Sequence, residues 1–316
     1  MIVNIHEQRK FIEEKDKAPK DKLMVLSEAV KRFVRNQCTI AIGGCLYSRT
    51  PMAIIHEIIR QRFKGLKICR GLAGFEVDLL ISSESMDRLI ASWCSPGYAW
   101  GLSKVLSRAV ADGKVMFEEW SHLGIGLRLK AAAMGVPFLP TLSMLGSDIM
   151  QQVNLEKIKC PYSGETVALV PALFPDVGII HAHRADKYGN VQIEGYTHFD
   201  KYIALGSKHV IITVEEIVES DFFRNQPERT FIPFFCVDAV VKVPFGAYPT
   251  ECWNEYDTDF EHLSNYHAKV MEKGTAGVNE YIDEYIYGTS SFDDFLRKIG
   301  NERLSLLRRE FRKVLE

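Results

Sequence analysis

The sequence predicts an α/β fold: an open, largely parallel sheet flanked by helices, with a helical C-terminal region. Three observations predict it. Short apolar, β-type runs at Thr39–Ile42, Leu66–Cys69, Val177–His183, His209–Val214 and Phe235–Val243 are interspersed with segments of helical apolar spacing. Gly- and Pro-containing loops follow several of these runs, namely Gly43-Gly44, Gly71–Gly74 and Ser95-Pro96-Gly97. In a parallel sheet such loops converge at the carboxyl edge, where α/β folds bind ligands. From about Asp259 the pattern is helical through to Glu316, punctuated by Gly274, Gly288 and Gly300.

Taken in order, residues 1–22 read as a polar arm. Leu26–Val34 has helical spacing with Ser27 as N-cap, and strand Thr39–Ile42 follows. Helix Met52–Phe63, strand Leu66–Cys69, a Gly71–Gly74 loop, a short helix near Val77–Ser82 and strand Arg88–Ser92 come next. Gly101–Asp112 and Ile125–Met134 read as helices, and Pro137 and Pro140 end that pattern. Strands resume at Val167–Pro171 and Val177–His183, and the turn Asp186–Asn190 closes into Val191–Ile193. A short helix near Tyr202–Leu205 leads to His209–Val214, and Phe235–Val243 has the apolar character of a strand covered on both faces. The expected division is an arm over 1–22, an α/β domain over 23–257 and a helical extension over 258–316.

Composition excludes several classes. The chain has 316 residues, 47% hydrophobic and 25% charged, which is a globular composition. A formal net charge of -2 gives no footprint for nucleic acid or an anionic membrane. There is no apolar run of membrane-spanning length and no signal-peptide pattern. Seven scattered cysteines without a CxxC pair read as reduced thiols in a cytoplasmic protein, Cys45 and Cys69 among them as packing residues.

The segment from Asn36 to Pro51 holds the densest signal. An apolar run ends in Gly43-Gly44, a short polar loop follows, and Pro51 opens a helix. Glycine lets backbone approach a ligand closely, and such a strand–loop–helix can aim N–H groups at an acyl or phosphate oxygen. An ordinary tight βα turn gives the same pattern. Arg49 within the loop carries a planar fork of donors suited to a carboxylate; a locally paired arginine is the alternative.

Asn36, Ile40, Ala41, Ile42, Gly43, Gly44 and Pro51 match the signature of family I CoA-transferase α subunits. Gln37 and Cys45 depart from it, and Arg49 stands where many relatives carry Gly. Ala131–Pro140, Pro175–Ala182, Glu215-Glu216 and Cys236–Val241 followed by Pro244–Pro249 also resemble the glutaconate-type branch, so the likeness spans roughly 22–270. The resemblance implies the CoA-transferase fold, related to that of sugar-phosphate isomerases. It implies a ping-pong exchange of CoA between an acyl-CoA and a free carboxylic acid. A glutamate carboxylate is first acylated as a mixed anhydride and then becomes a glutamyl-CoA thioester. It also implies oxyanion donors, for which backbone N–H groups of Gly43, Gly44, Gly71 and Gly74 are the candidates. CoA thioester is then a substrate, and no tightly bound cofactor is expected.

In that family the nucleophile sits on a β subunit. Glu84 and Glu194 are the nearest glutamates here, and neither has the matching surroundings, so a separate β-type chain and a hetero-oligomer are expected. A dicarboxylic acyl group would give Arg49 a distal carboxylate to hold. Ser95 and Gly97, with Tyr98, are further substrate contacts or a plain turn, as is Gly146-Ser147. Glu118-Glu119 precede a helix and suit its dipole; by resemblance to ring-opening hydrolases of the same fold, Glu119 could serve as a catalytic glutamate. His181 and His183 point to one strand face, but no third ligand has fitting spacing and no metal is expected. Asp238 reads as a hydrogen-bonded buried carboxylate, Asp186 and Asn190 as turn residues, and the four tryptophans as packing. A third reading, a non-catalytic ligand-binding sensor, lacks a DNA-binding segment before residue 22.

Overall fold

The computed structural model describes residues 5–97 and 100–309. Its eleven strands are β1 (Thr39–Ile42), β2 (Leu66–Ala73), β3 (Met86–Cys94), β4 (Met116–Glu119), β5 (Phe138–Thr141), β6 (Lys157–Lys159), β7 (Thr166–Pro171), β8 (Val177–Ala185), β9 (Val191–Gln192), β10 (His209–Ile217) and β11 (Ala239–Lys242). The main sheet has the order β11-β10-β8-β1-β2-β3-β4 with every neighbour parallel, and β9 hairpins back onto β8. β5, β7 and β6 form a separate antiparallel sheet with β7 central.

The mostly parallel prediction holds because the central runs are apolar on both faces. Ile40 and Ile42 of β1 pack on one side with Ile54, Ile58 and Phe75, while Ala41 faces the other with Ile125, Leu129 and Ile203. Helices Leu26–Phe33, Met52–Arg60, Phe75–Ser82 and Lys104–Ala111 cover the first face; His122–Met134 and Asp200–Gly206 cover the second. Tyr266, Tyr281 and Phe295 from the C-terminal helices join the first core. The 1–22 arm contains a helix, Ile5–Glu14, and Lys15 ties its end to Asp238 at 2.6 Å. The expected turn at 186–190 is closed by Asp186, whose Oδ1 accepts from the N–H groups of Tyr188, Gly189 and Asn190.

Several local expectations are corrected. Ser27 is not a cap: the helix begins at Leu26, and Val25 precedes it without a side-chain bond. Gly71 lies inside β2, which continues to Ala73, not in a loop. Glu118 and Glu119 end strand β4; the following helix is capped by Ser121, whose Oγ accepts from Gly124 N at 2.9 Å. Pro140 does not end the pattern but sits in β5, an edge strand that tolerates a missing donor. Phe235–Val243 is a strand only over Ala239–Lys242, since a 3₁₀ turn, Phe234–Cys236, occupies its start. The helical expectation for 310–316 and the contact at Tyr98 lie outside the described residues.

One buried carboxyl links packing to pH. Asp78 is 1% exposed; it accepts from Ser103 Oγ at 2.5 Å and from Tyr266 OH at 3.2 Å. Burial pushes its pKa up to about 7, against about 3.9 in water. Between those values the folded chain holds a proton that the unfolded chain releases, so stability falls as pH rises through that window. Asp78→Asn is expected to flatten this slope and to be more stable than the parent at pH 8. Urea melts at pH 5 and 8 check it; an unchanged slope would contradict the assignment.

Candidate functional site at the carboxyl edge

β1, β2 and β3 are parallel and in register, so their following loops meet at one edge. Two buried arginines organise that edge. Arg49 has a left-handed backbone (φ 52) and is fully buried. Its Nη1 donates to Asp200 Oδ2 at 2.7 Å and to the His181 carbonyl at 2.8 Å, and Nη2 donates to the Tyr196 carbonyl at 2.5 Å. Asp200 Oδ1 accepts from Gly44 N at 2.7 Å. Arg70 donates to the carbonyls of Gly43 and Leu72, each at 3.0 Å, and to Thr50 Oγ1 at 2.8 Å. Its Nε also lies 2.9 Å from Glu76 Oε1, which accepts from Gly74 N. The Gly43–Pro51 loop is thus pinned by one ion pair to the 196–200 segment and by another to the start of helix Phe75–Ser82.

This geometry changes the roles expected of several residues. Arg49 is not presented to a substrate carboxylate: both terminal nitrogens are spent inside the protein. Nor are Gly43, Gly44 and Gly74 open oxyanion donors, because their N–H groups go to Ile179 O, Asp200 and Glu76. Glycine is required here by close approach. A Cβ on Gly43 would lie 2.6 Å from Asp200 Oδ1, and one on Gly71 would lie 3.0 Å from the His122 ring. Ser95 is a turn organiser, fully buried, with its hydroxyl donating to the Gly97 carbonyl at 2.8 Å and accepting from Gly97 N. Gly97 packs under the Tyr47 hydroxyl, with no room for a Cβ. Ser147 donates to the Met144 carbonyl as a local turn.

Glu118 and Glu119 part ways. Glu118 is held by Arg128 at 2.7 Å, Trp120 Nε1 at 2.8 Å and Arg88 at 3.4 Å. Burial opposes its charge, but these partners hold its carboxyl below the usual range. Glu119 points to the other face and has no hydrogen-bond partner among the described residues. The sheet places it three strands from β1, about 14 Å from the Gly43-Gly44 loop by strand spacing. Glu84 is exposed before β3, and Glu194 is engaged by Arg184 and Asn254.

Residues that sequence reasoning passed over line the open side of the edge. Ser92 Oγ donates to the Gly71 carbonyl at 2.6 Å and lies 3.3 Å from His122 Nδ1, and the His122 ring packs at a tilt against Phe199. Charged residues within apolar runs, Arg70 in Ile68–Leu72 and Glu76 in Phe75–Leu79, were the available signal for the ion pair; Asp200 carried none. Cys45 is half-buried with its thiol pKa raised by burial, and Cys69 is pushed up to about 12.

His181 and His183 do share a face. His181 Nε2 meets Glu215 Oε1 at 2.7 Å, and the ligand atoms of His181, Glu215 and Cys252 lie within 4.8 Å of one another. These groups spend their atoms on the protein: Glu215 also accepts from Tyr256 OH and Phe245 N, and His181 Nδ1 meets Thr213. His183 is held on the Trp253 carbonyl, and burial pushes its pKa down to about 4.

An open parallel sheet with glycine loops locked at its carboxyl edge defines a ligand-handling α/β fold. The family model described as coenzyme A transferase matches residues 23–243, and the chain belongs to that family. It is 41% identical to an uncharacterised protein of Archaeoglobus fulgidus over 92% of its length, and it spans 65% of that protein. It is 32% identical to the A subunit of glutaconate CoA-transferase from Acidaminococcus fermentans, covering 90% of this chain and 93% of the relative. The crystal structure of that transferase superposes with a TM-score of 0.87 at 32% identity, over 91% of this chain and 96% of the other. A cholesterol ring-cleaving hydrolase IpdA subunit of Rhodococcus jostii is 27% identical over 90% of this chain and 95% of its own. No helix among the described residues is long and apolar enough to cross a membrane.

Proposed function

We propose that this chain is the α-type subunit of a CoA-transferase that exchanges CoA between an acyl-CoA and a free dicarboxylic acid. The observation that carries this reading is the match, in sequence and fold, to the A subunit of the glutaconate enzyme. Glutaconate is a dicarboxylate, and the proposed substrate class rests on that relative, no longer on Arg49. The geometry adds a reason for a partner chain. Asp200 and Glu76, the carboxylates at the glycine loops, are fully buried and ion-paired to arginines, so neither is presented to an acyl-CoA. A β-type subunit would bring the glutamate to the edge formed by Gly43-Gly44, Gly71 and Ser92, in a cytoplasmic hetero-oligomer; the seven free cysteines favour a reducing compartment.

The test is exchange between an acyl-CoA and a free dicarboxylate, with the chain alone and with its β-type partner. No turnover by the chain alone and ping-pong kinetics for the pair are expected. Robust exchange by the chain alone would overturn the reading. A second reading, hydrolysis through Glu119, is favoured by one observation: its carboxylate is unpartnered among the described residues while that of Glu118 is held by three groups. Glu119→Gln is expected to leave transfer intact in the assembled enzyme; loss of about 100-fold or more, a size typical of a removed general acid or base, would favour the hydrolase.

A further inference from the structure

We propose that His122, seated over Gly71 and oriented by Ser92, receives the free carboxylate of a dicarboxylic acyl group and takes up one proton from solvent as it does so. The inference rests on the transferase reading above. It supplies what that reading lost with Arg49, a partner for the distal carboxylate.

The seat is built for the ring. Strand register sets Gly71 beside Ser92, between the pairs Arg70–Ala91 and Leu72–Trp93. A Cβ on Gly71 would lie 3.0 Å from the His122 ring and 3.1 Å from the Phe199 ring, and one on Gly126 would lie 2.7 Å from Phe199. Neither glycine has a left-handed φ, so the space taken by the two rings is what excludes a side chain. Ser92 then fixes the tautomer. Its one hydroxyl proton goes to the Gly71 carbonyl at 2.6 Å, so Oγ can only accept from His122 Nδ1–H, 3.3 Å away. That leaves Nε2 of an exposed side chain with no hydrogen-bond partner among the described residues.

The other cationic groups at the edge do not fit. Arg49 and Arg70 are fully buried and spent on Asp200, Glu76 and backbone carbonyls. Burial, with the charges of these two arginines, pushes the pKa of His198 down to about 4, so a further positive charge is opposed there. Burial alone lowers the pKa of His122. A carboxylate at Nε2 offsets that cost, and the neutral ring becomes a charged donor as the anion binds. Few charged groups lie on the elements around the ring. β2 brings Arg70, paired with Glu76, and the 196–200 segment brings His198 and the Asp200 that pairs with Arg49. β4 ends in Glu118, paired with Arg128, and in Glu119, which strand alternation turns to the opposite face. Ser92 of β3, Ile125 and Gly126 in the next turn of the helix, and residues 143–147 bring none.

The test compares glutaryl-CoA with valeryl-CoA, of equal chain length, as donors to the chain assembled with its β-type partner, acetate being the common acceptor. The ratio of their kcat/KM values cancels whatever ionises in CoA itself. The parent is expected to prefer glutaryl-CoA. The preference should fall as pH rises from about 6.5 to about 8, approaching the tenfold per unit that marks one proton taken up. His122→Phe fills the seat without a nitrogen. It should lower the preference about tenfold or more, the scale of a lost charge-assisted hydrogen bond, and remove the slope. His122→Gln keeps an N–H that does not titrate, so it should retain part of the preference and lose the slope. Thermal melts confirm that each variant is folded, and His122→Gln carries the slope test if His122→Phe does not assemble. A parent without exchange would sink the transferase reading, and one without a preference for glutaryl-CoA the substrate class; this inference falls with either. A parent that prefers glutaryl-CoA, with preference and slope unchanged in the folded variants, would overturn the inference alone.

Discussion

Asp200→Ala is expected to destabilise the chain by about 3–5 kcal/mol, the cost of stranding one member of a buried ion pair. The loss has two sources. Arg49, fully buried, keeps a charge that only two carbonyls then face, and Gly44 N–H loses its acceptor. Arg49→Met should cost a comparable amount, by leaving the Asp200 carboxylate with Gly44 as its chief donor. The pair Arg49→Met with Asp200→Asn should recover much of the loss, because the charge is gone from both sides and the amide oxygen still accepts from Gly44. Urea unfolding of the parent, Arg49→Met, Asp200→Asn and the double variant completes a double-mutant cycle, and a strong coupling term is expected. Single variants within about 1 kcal/mol of the parent would mean that the pair contributes little beyond what it costs to desolvate. In the assembled enzyme, Arg49→Met should lower kcat/KM equally for mono- and dicarboxylic substrates. A loss confined to dicarboxylates would restore the role first read from the sequence.

The contrast between those two roles of Arg49 shows where sequence reading stops. The strand Thr39–Ile42 was legible to the residue because an apolar run bounded by Gly43-Gly44 has few alternatives. The family and the carboxyl-edge location were legible for the same reason: they depend on backbone pattern, which is local. The use of Arg49 depends on Asp200, 151 residues away, brought near only when β8 inserts beside β1. Before the fold is known, an arginine in a glycine loop is equally suited to a substrate carboxylate and a protein one. β4 was missed for a related reason. Its Met-Phe-Glu-Glu sequence is tolerated because it is an edge strand and Glu118 finds Arg128 across the helix. The split between Glu118 and Glu119 follows from strand alternation, which a helix-cap reading could not supply.

Gly44→Ala is the second large expected effect, and it separates shape from chemistry at the loop. Gly44 has φ +68, and an added Cβ would lie 2.3 Å from Ser48 O and 2.5 Å from Arg49 O, both backbone atoms that cannot swing aside. Gly113 has a nearly equal φ of +70 with nothing within 4 Å of the added atom. Gly113→Ala should therefore show the conformational cost alone, about 1–2 kcal/mol for a left-handed residue. Gly44→Ala should add an overpacking cost of about 1–3 kcal/mol, and it should displace the Cys45–Ser48 turn that the same backbone atoms close. The difference between the two melts isolates the contact. Since the Gly44 N–H is already bound to Asp200, the glycine acts by letting the loop fold back on itself. Turnover of the assembled enzyme should fall in step with stability, and it should recover when assayed well below the variant's melting point. A variant that melts like Gly113→Ala yet loses turnover about 100-fold or more would instead place the Gly44 N–H among the oxyanion donors, released from Asp200 when the partner chain binds.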